Sequence, residues 1–189
     1  MTVLFVNACL RGEQSRTLTL CREYLEGVDD VEEVNLAELK LEPYYGPSAA
    51  YRAQLEKDGQ FDDPMFDLGR QFAEADEIVI GAPYWDLSFP AALKIYIEHA
   101  AVMGMTFHYT EEGRCEGLCR AKHLTYITTG GGNVAAANFG YEYLRGIAGM
   151  FGIPETRFAA AENLDVVGAD IKGNLDAARA RLAELKATR

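Results

Sequence analysis

Short uninterrupted apolar runs recur along the chain, separated by stretches in which apolar residues return at helical spacing. Val3 to Val6 and Glu77 to Pro83 are the clearest runs, and each reads as a strand buried on both faces. Val31 to Leu36, Leu124 to Thr128 and Arg157 to Ala160 read as three further strands. Between them, Ser15 to Leu25, Met65 to Ala75, Ala91 to Val102, Tyr141 to Phe151 and Ile171 to Lys186 carry apolar residues three and four apart, the mark of an amphipathic helix. Ser15 or Thr17 can cap the first helix, and Pro90 suits the first turn of the helix at 91. Residues 41 to 62 hold three Tyr and two Pro and suggest a loop with a short helix. Thr106 to Gly117, with its Glu-Glu-Gly turn, suggests a β-hairpin excursion.

Strands alternating with helices imply an α/β fold: a doubly wound, five-stranded parallel sheet of order 2-1-3-4-5 with helices on both faces. A chain of 189 residues suits a single domain of this kind over 1–189. In such sheets ligands sit beyond the carboxyl ends of the strands, where the strand order reverses. The rule selects the loops after strands 1, 3 and 4, and the unusual residues of the sequence cluster there.

The first loop, Asn7 to Thr17, runs into a helix N-terminus, where free N–H groups and the helix dipole favour an anion. Ser15 and Thr17 add hydroxyls, and Arg11 and Arg16 add positive charge. A three-glycine dinucleotide fingerprint and a phosphate-loop lysine are both lacking, so the expected anion is a monophosphate. The second loop, Ala82 to Pro90, places Tyr84 beside the only tryptophan, Trp85, and offers a flat wall for a planar ring. The third, Thr128 to Asn133, contains Gly130, Gly131 and Gly132, whose bare backbone lets a ligand approach closely.

Charge narrows the partners. Lys plus Arg is 18 and Asp plus Glu is 29, a net charge of −11. Such a surface repels nucleic-acid backbones and anionic membranes. No apolar run reaches the ~20 residues of a membrane span, and the first residues read as a strand, not a signal peptide, which points to the cytoplasm. Four cysteines fit a reducing compartment as free thiols. Cys115 and Cys119 lack the partners of a four-ligand metal site.

Taken together, the Asn7–Thr17 loop, the run Ala82-Pro83-Tyr84-Trp85-Asp86-Leu87-Ser88-Phe89-Pro90, the Thr106–Gly113 excursion and Thr128-Thr129-Gly130-Gly131-Gly132 resemble flavodoxin-like NAD(P)H:quinone oxidoreductases and FMN-dependent NADH-azoreductases. The resemblance runs from Val3 to about Leu164. It implies that Arg11, Ser15, Arg16 and Thr17 hold the FMN phosphate. It further implies that Pro83, Tyr84, Trp85, Asp86 and Leu87 contact the flavin ring, and that Thr129, Gly130 and Gly131 contact its edge. It implies FMN as cofactor, NADH or NADPH as donor, and a ping-pong hydride transfer to quinone- or azo-type acceptors. It also implies a homodimer with the site at the subunit interface, where Tyr44, Tyr45 and Phe107 are candidates to cover the flavin. Tyr109 is a candidate proton donor to the acceptor. His99, His108 and His123 read as structural or exposed.

Three departures stand out. Cys9 and Leu10 replace a common Ser-Pro pair, Asp86 replaces a common amide, and the loop after Gly132 is short. If Asp86 faces the ring, Asp86→Asn should raise the flavin reduction potential. The alternative reading is a flavodoxin-type electron carrier that does not oxidise NAD(P)H directly, its acidic surface suited to docking on a basic reductase.

Overall fold

In the computed structural model, which describes residues 1–189, the two clearest apolar runs form the centre of a parallel sheet. All five residues of β1 (Val3–Asn7) and of β3 (Glu77–Gly81) are buried. β1 pairs in parallel with β2 (Val31–Asn35) on one side and β3 on the other. β3 continues to β6 (His123–Thr129), and β6 to β7 (Glu155–Ala161). The remaining strands, β4 (Phe107–Tyr109) and β5 (Cys115–Gly117), form a separate antiparallel hairpin. The sheet order is therefore β2-β1-β3-β6-β7. With the hairpin left out of the count, this is 2-1-3-4-5.

Side chains alternate across the sheet, and each face has its own core. Leu4, Val6, Ile78, Ile80, Leu124 and Tyr126 pack with Phe72 of α4 (Asp67–Glu74), with Leu93 and Tyr96 of α5 (Ala91–Ala100), and with Leu144 and Ala148 of α6 (Phe139–Met150). Val3, Phe5, Val79 and Ile127 pack on the opposite face against Leu18 and Tyr24 of α1 (Arg16–Leu25) and Leu182 of α7 (Ile171–Ala187). No helix is long and apolar enough to cross a membrane.

The structure departs from the sequence reading in two places before the site. The 41–62 stretch, expected as a loop with a short helix, contains a twelve-residue helix, Pro47–Asp58, started by its proline and closed by Gly59 in the left-handed conformation. Only Leu55 of that helix is buried, so no apolar stripe announced it. Pro90 is not in the first turn of α5. Its ψ of 144° makes it the residue before the helix begins.

At the amino ends of the strands, away from the predicted site, Glu77 is fully buried. It accepts a hydrogen bond from Arg189 Nε, and His123 Nε2 lies 3.2 Å from its carboxylate. Burial pushes its carboxyl up, but the hydrogen bonds to His123 and Arg189 outweigh that and hold it below the usual Glu range.

Candidate functional site

The loop after β1 is shaped by its own side chains. Asn7 Oδ1 accepts from Cys9 N at 3.0 Å and Gly12 turns the chain with φ +54°, which a Cβ disfavours. Ser15 then caps α1, its hydroxyl oxygen accepting from Leu18 N at 3.3 Å. The N–H groups of Arg16 and Thr17, in the first turn, have no acceptor within the helix and remain available to an anion. Cys9 sits buried beneath this loop, its thiol against the Gly81 carbonyl at 3.6 Å. Hydrogen bonding to Cys21 holds the Cys9 thiol below its ordinary value against the opposing effect of burial.

The loop after β3 is bound to the loop after β6. Tyr84 N donates to Thr129 O at 2.9 Å, and the Tyr84 hydroxyl donates to Ala137 O at 2.7 Å. Thr17 and Thr129 hydroxyls meet at 2.7 Å and tie the first loop to the third. Beyond Tyr84 the chain makes a two-residue hairpin: Trp85 N donates to Ser88 O at 3.0 Å, and Ser88 N to Trp85 O at 2.8 Å. The two central residues, Asp86 and Leu87, have φ of +50° and +67°. That is a mirror-image turn normally given to Asn-Gly.

A fourth loop, after β7, completes the rim. Leu164 N and Asp165 N donate to Gly130 O and Gly131 O at 3.1 and 3.0 Å, and Gly130 N donates to Ala161 O at 2.9 Å. Arg16 Nη1 reaches across to this loop, donating to Leu164 O at 3.2 Å and Asp165 Oδ1 at 3.1 Å. Packing leaves no room for a side chain at Gly130, and at Gly131 the exposed Asp165 side chain would have to move aside. A Cβ on Gly130 would lie 2.4 Å from Val134 Cγ2, and one on Gly131 would lie 2.5 Å from Asp165 Oδ2.

These loops enclose an open, mostly polar cavity of about 220 Å³ at the carboxyl edge of the sheet. Of the residues expected from the sequence, Arg11, Ser15, Arg16, Thr17, Pro83, Tyr84, Trp85, Thr129, Gly130 and Gly131 all line it. Asp86 and Leu87 do not: their positive-φ turn carries them to the exposed tip of the hairpin. Tyr109 does not line it either, being exposed on β4 with its ring edge-on to Phe107 at 5.8 Å. Tyr44 stacks on His99 at 4.2 Å, Phe107 is packed near Phe151, and Tyr45 is exposed; none of the three lines the cavity of its own chain. Gln14, Leu164 and Asp165 line it and were not foreseen. Gln14 lies within the Asn7–Thr17 loop already singled out, and the only advance signal for Leu164 and Asp165 was topological, since the loop after β7 must neighbour the loop after β6.

The sequence profile of a family described as having a flavodoxin-like fold matches residues 1–185. This chain belongs to that flavodoxin-like family. The flavodoxin-like chain is 45% identical over 132 residues to an FMN-dependent NADH:quinone oxidoreductase of Clostridium acetobutylicum, a match covering 67% of this chain and 66% of that protein. The matched stretch thus spans just under two thirds of that relative's length. A protein of the same name from Coprothermobacter proteolyticus is 30% identical over 181 residues, 90% of each chain. Among solved structures, an azoreductase from Bacillus anthracis superposes over 100% of both chains with a TM-score of 0.84 and 27% identity.

Proposed function

We propose that this chain is an FMN-dependent oxidoreductase that passes hydride from NADH or NADPH to a quinone- or azo-type acceptor. The observation that carries the reading is the convergence of three sequence-distant loops on one cavity with a cationic, hydroxyl-bearing end and an aromatic end. The residues fit a phosphorylated planar ring. The first-turn N–H groups of α1, the Ser15 hydroxyl and Arg11, which has no carboxylate partner, would hold a phosphate. Tyr84 and Trp85 would flank a ring, and the backbone of Gly130 and Gly131 would lie at its edge. The cavity is smaller than the ~300 Å³ at the low end of closed ligand pockets, so a bound ring would extend past the rim.

When bound, FMN supplies the two-electron chemistry. The protein's part is to orient and to shield. Thr17 bonded to Thr129, and Tyr84 bonded to Ala137, keep the walls at a fixed separation. Donor and acceptor stacking in turn on the one open face would give a ping-pong scheme. Trp85 at the cavity, Leu87 in the same hairpin and Phe139 at the start of α6, whose N–H donates to Leu87 O, are all exposed. Such an apolar rim supports closure by a second copy of the chain, a homodimer with the site at the interface. The profile match over 1–185 supports one functional domain, and four free cysteines support a reducing, cytoplasmic setting.

The test is anaerobic mixing of the FMN-loaded protein with NADH and a quinone. Catalytic loss of NADH is expected. Bound FMN without NADH oxidation would overturn the reading in favour of a one-electron carrier, which the net charge of −11 also suits.

A further inference from the structure

Two arginines line the cationic end of the cavity, and they differ in state. Arg11 has no carboxylate partner, whereas Arg16 is engaged by the Asp165 carboxylate and the Leu164 carbonyl. The backbone of Asp165 is held in place independently of Arg16, while its carboxylate is bonded to Arg16 alone. Its N–H is bonded to Gly131 O, and its carboxylate packs so closely on Gly131 that no Cβ fits between them. A carboxylate thus stands at the mouth of a site whose other charged residues are cations, and it occupies Arg16 Nη1, one of the donors open to an incoming anion.

We propose that Asp165 is a built-in competitor for the phosphate: an anion of the chain itself that occupies Arg16 and must be displaced, or its repulsion overcome, for a phosphorylated ligand to bind. This rests on the FMN reading above and adds to it a specificity rule. A phosphomonoester dianion outcompetes a single carboxylate for a guanidinium. A neutral hydroxyl does not compete for it, so Asp165 weakens binding of the phosphorylated form alone and narrows its advantage over the dephosphorylated one. The pair is largely solvent-exposed, with 46% of the Arg16 and 72% of the Asp165 side chain accessible, so water and salt limit the effect to a few-fold.

The experiment titrates flavin-free protein with FMN and, separately, with riboflavin, following quenching of flavin fluorescence at low and high salt. Asp165→Asn keeps the size and the hydrogen-bond acceptor and removes the charge. It is expected to bind FMN about three- to fivefold more tightly at low salt, with the gain shrinking at high salt and riboflavin binding unchanged. In the double variant Arg16→Gln/Asp165→Asn, the gain over Arg16→Gln alone is expected to be smaller, because the competition acts through the guanidinium. Unchanged or weaker FMN binding by Asp165→Asn would overturn the proposal and make Asp165 a support for Arg16 only. An equal gain for riboflavin would overturn it too. If the unaltered protein fails to bind FMN at all, it is the FMN reading that fails.

Discussion

Substituting alanine for Gly130 places a methyl group where the cavity walls leave no room. The new Cβ would lie 2.4 Å from Val134 Cγ2 and 3.4 Å from Tyr84 Cδ1. Val134 cannot swing away: it is 1% exposed, and its backbone N–H is bonded to Glu162 at 2.7 Å. The strain therefore spreads into the loop, as in an overpacked core, at a cost of about 2 kcal/mol. For a chain of this length that lowers the melting midpoint by about 4–8 °C. If about 1.4 kcal/mol of the displacement falls on the Tyr84 wall in the bound state, FMN affinity drops about tenfold. The control is two residues away. A Cβ on Gly132 meets nothing within 4 Å, and that residue is not among the positive-φ glycines. Gly132→Ala is therefore expected to leave stability unchanged or raise it by up to about 1 kcal/mol through the unfolded state. Thermal unfolding without ligand and fluorescence titration with FMN read both quantities. Equal melting midpoints for the two variants, or a larger loss in Gly132→Ala, would refute the packing argument.

Glu77→Gln removes the carboxylate shared by Arg189 and His123 and is expected to cost about 3 kcal/mol, read by urea unfolding at neutral pH. Because the folded-state pKa of Glu77 is lowered, its contribution is complete above the unfolded value of about 4.3 and fades as pH falls through that value to the folded one. The pH dependence of unfolding between neutrality and acid should be shallower in Glu77→Gln, and an unchanged profile would contradict this. Leu87→Gly relieves a side chain held at φ +67° and should raise the melting midpoint by the equivalent of about 1 kcal/mol; a lower midpoint would show that the turn carries no strain. Asp86→Asn should leave the midpoint potential of bound flavin unchanged, since Asp86 lies at the exposed hairpin tip outside the cavity lining. A clear rise would place its carboxylate at the ring.

The central sheet was legible because β1 and β3 are buried at every position, which a continuous apolar run reports directly. The convergence of Ser15, Trp85 and Gly130 followed from where the strand order reverses, a rule of topology that needs no side-chain detail. What stayed hidden has physical causes. The helix Pro47–Asp58 buries only Leu55, so its pattern carried no period. Asp86 and Leu87 stand next to wall residues in sequence, but two successive positive φ angles turn them outward; Asp tolerates the first, and Leu at the second, where Gly is usual, gave no sign of the turn. Asp165 was hidden because its role depends on pairing between the loops after β6 and β7 and on an arginine 149 positions away.

The most direct measurement is a crystal structure of the protein soaked with FMN. The phosphate should lie on the first turn of α1, against Ser15 and within reach of Arg11, with the ring between the Trp85 hairpin and the backbone of Gly130. FMN seated on another face, or a cavity still empty at saturating FMN with the loops in place, would contradict the account.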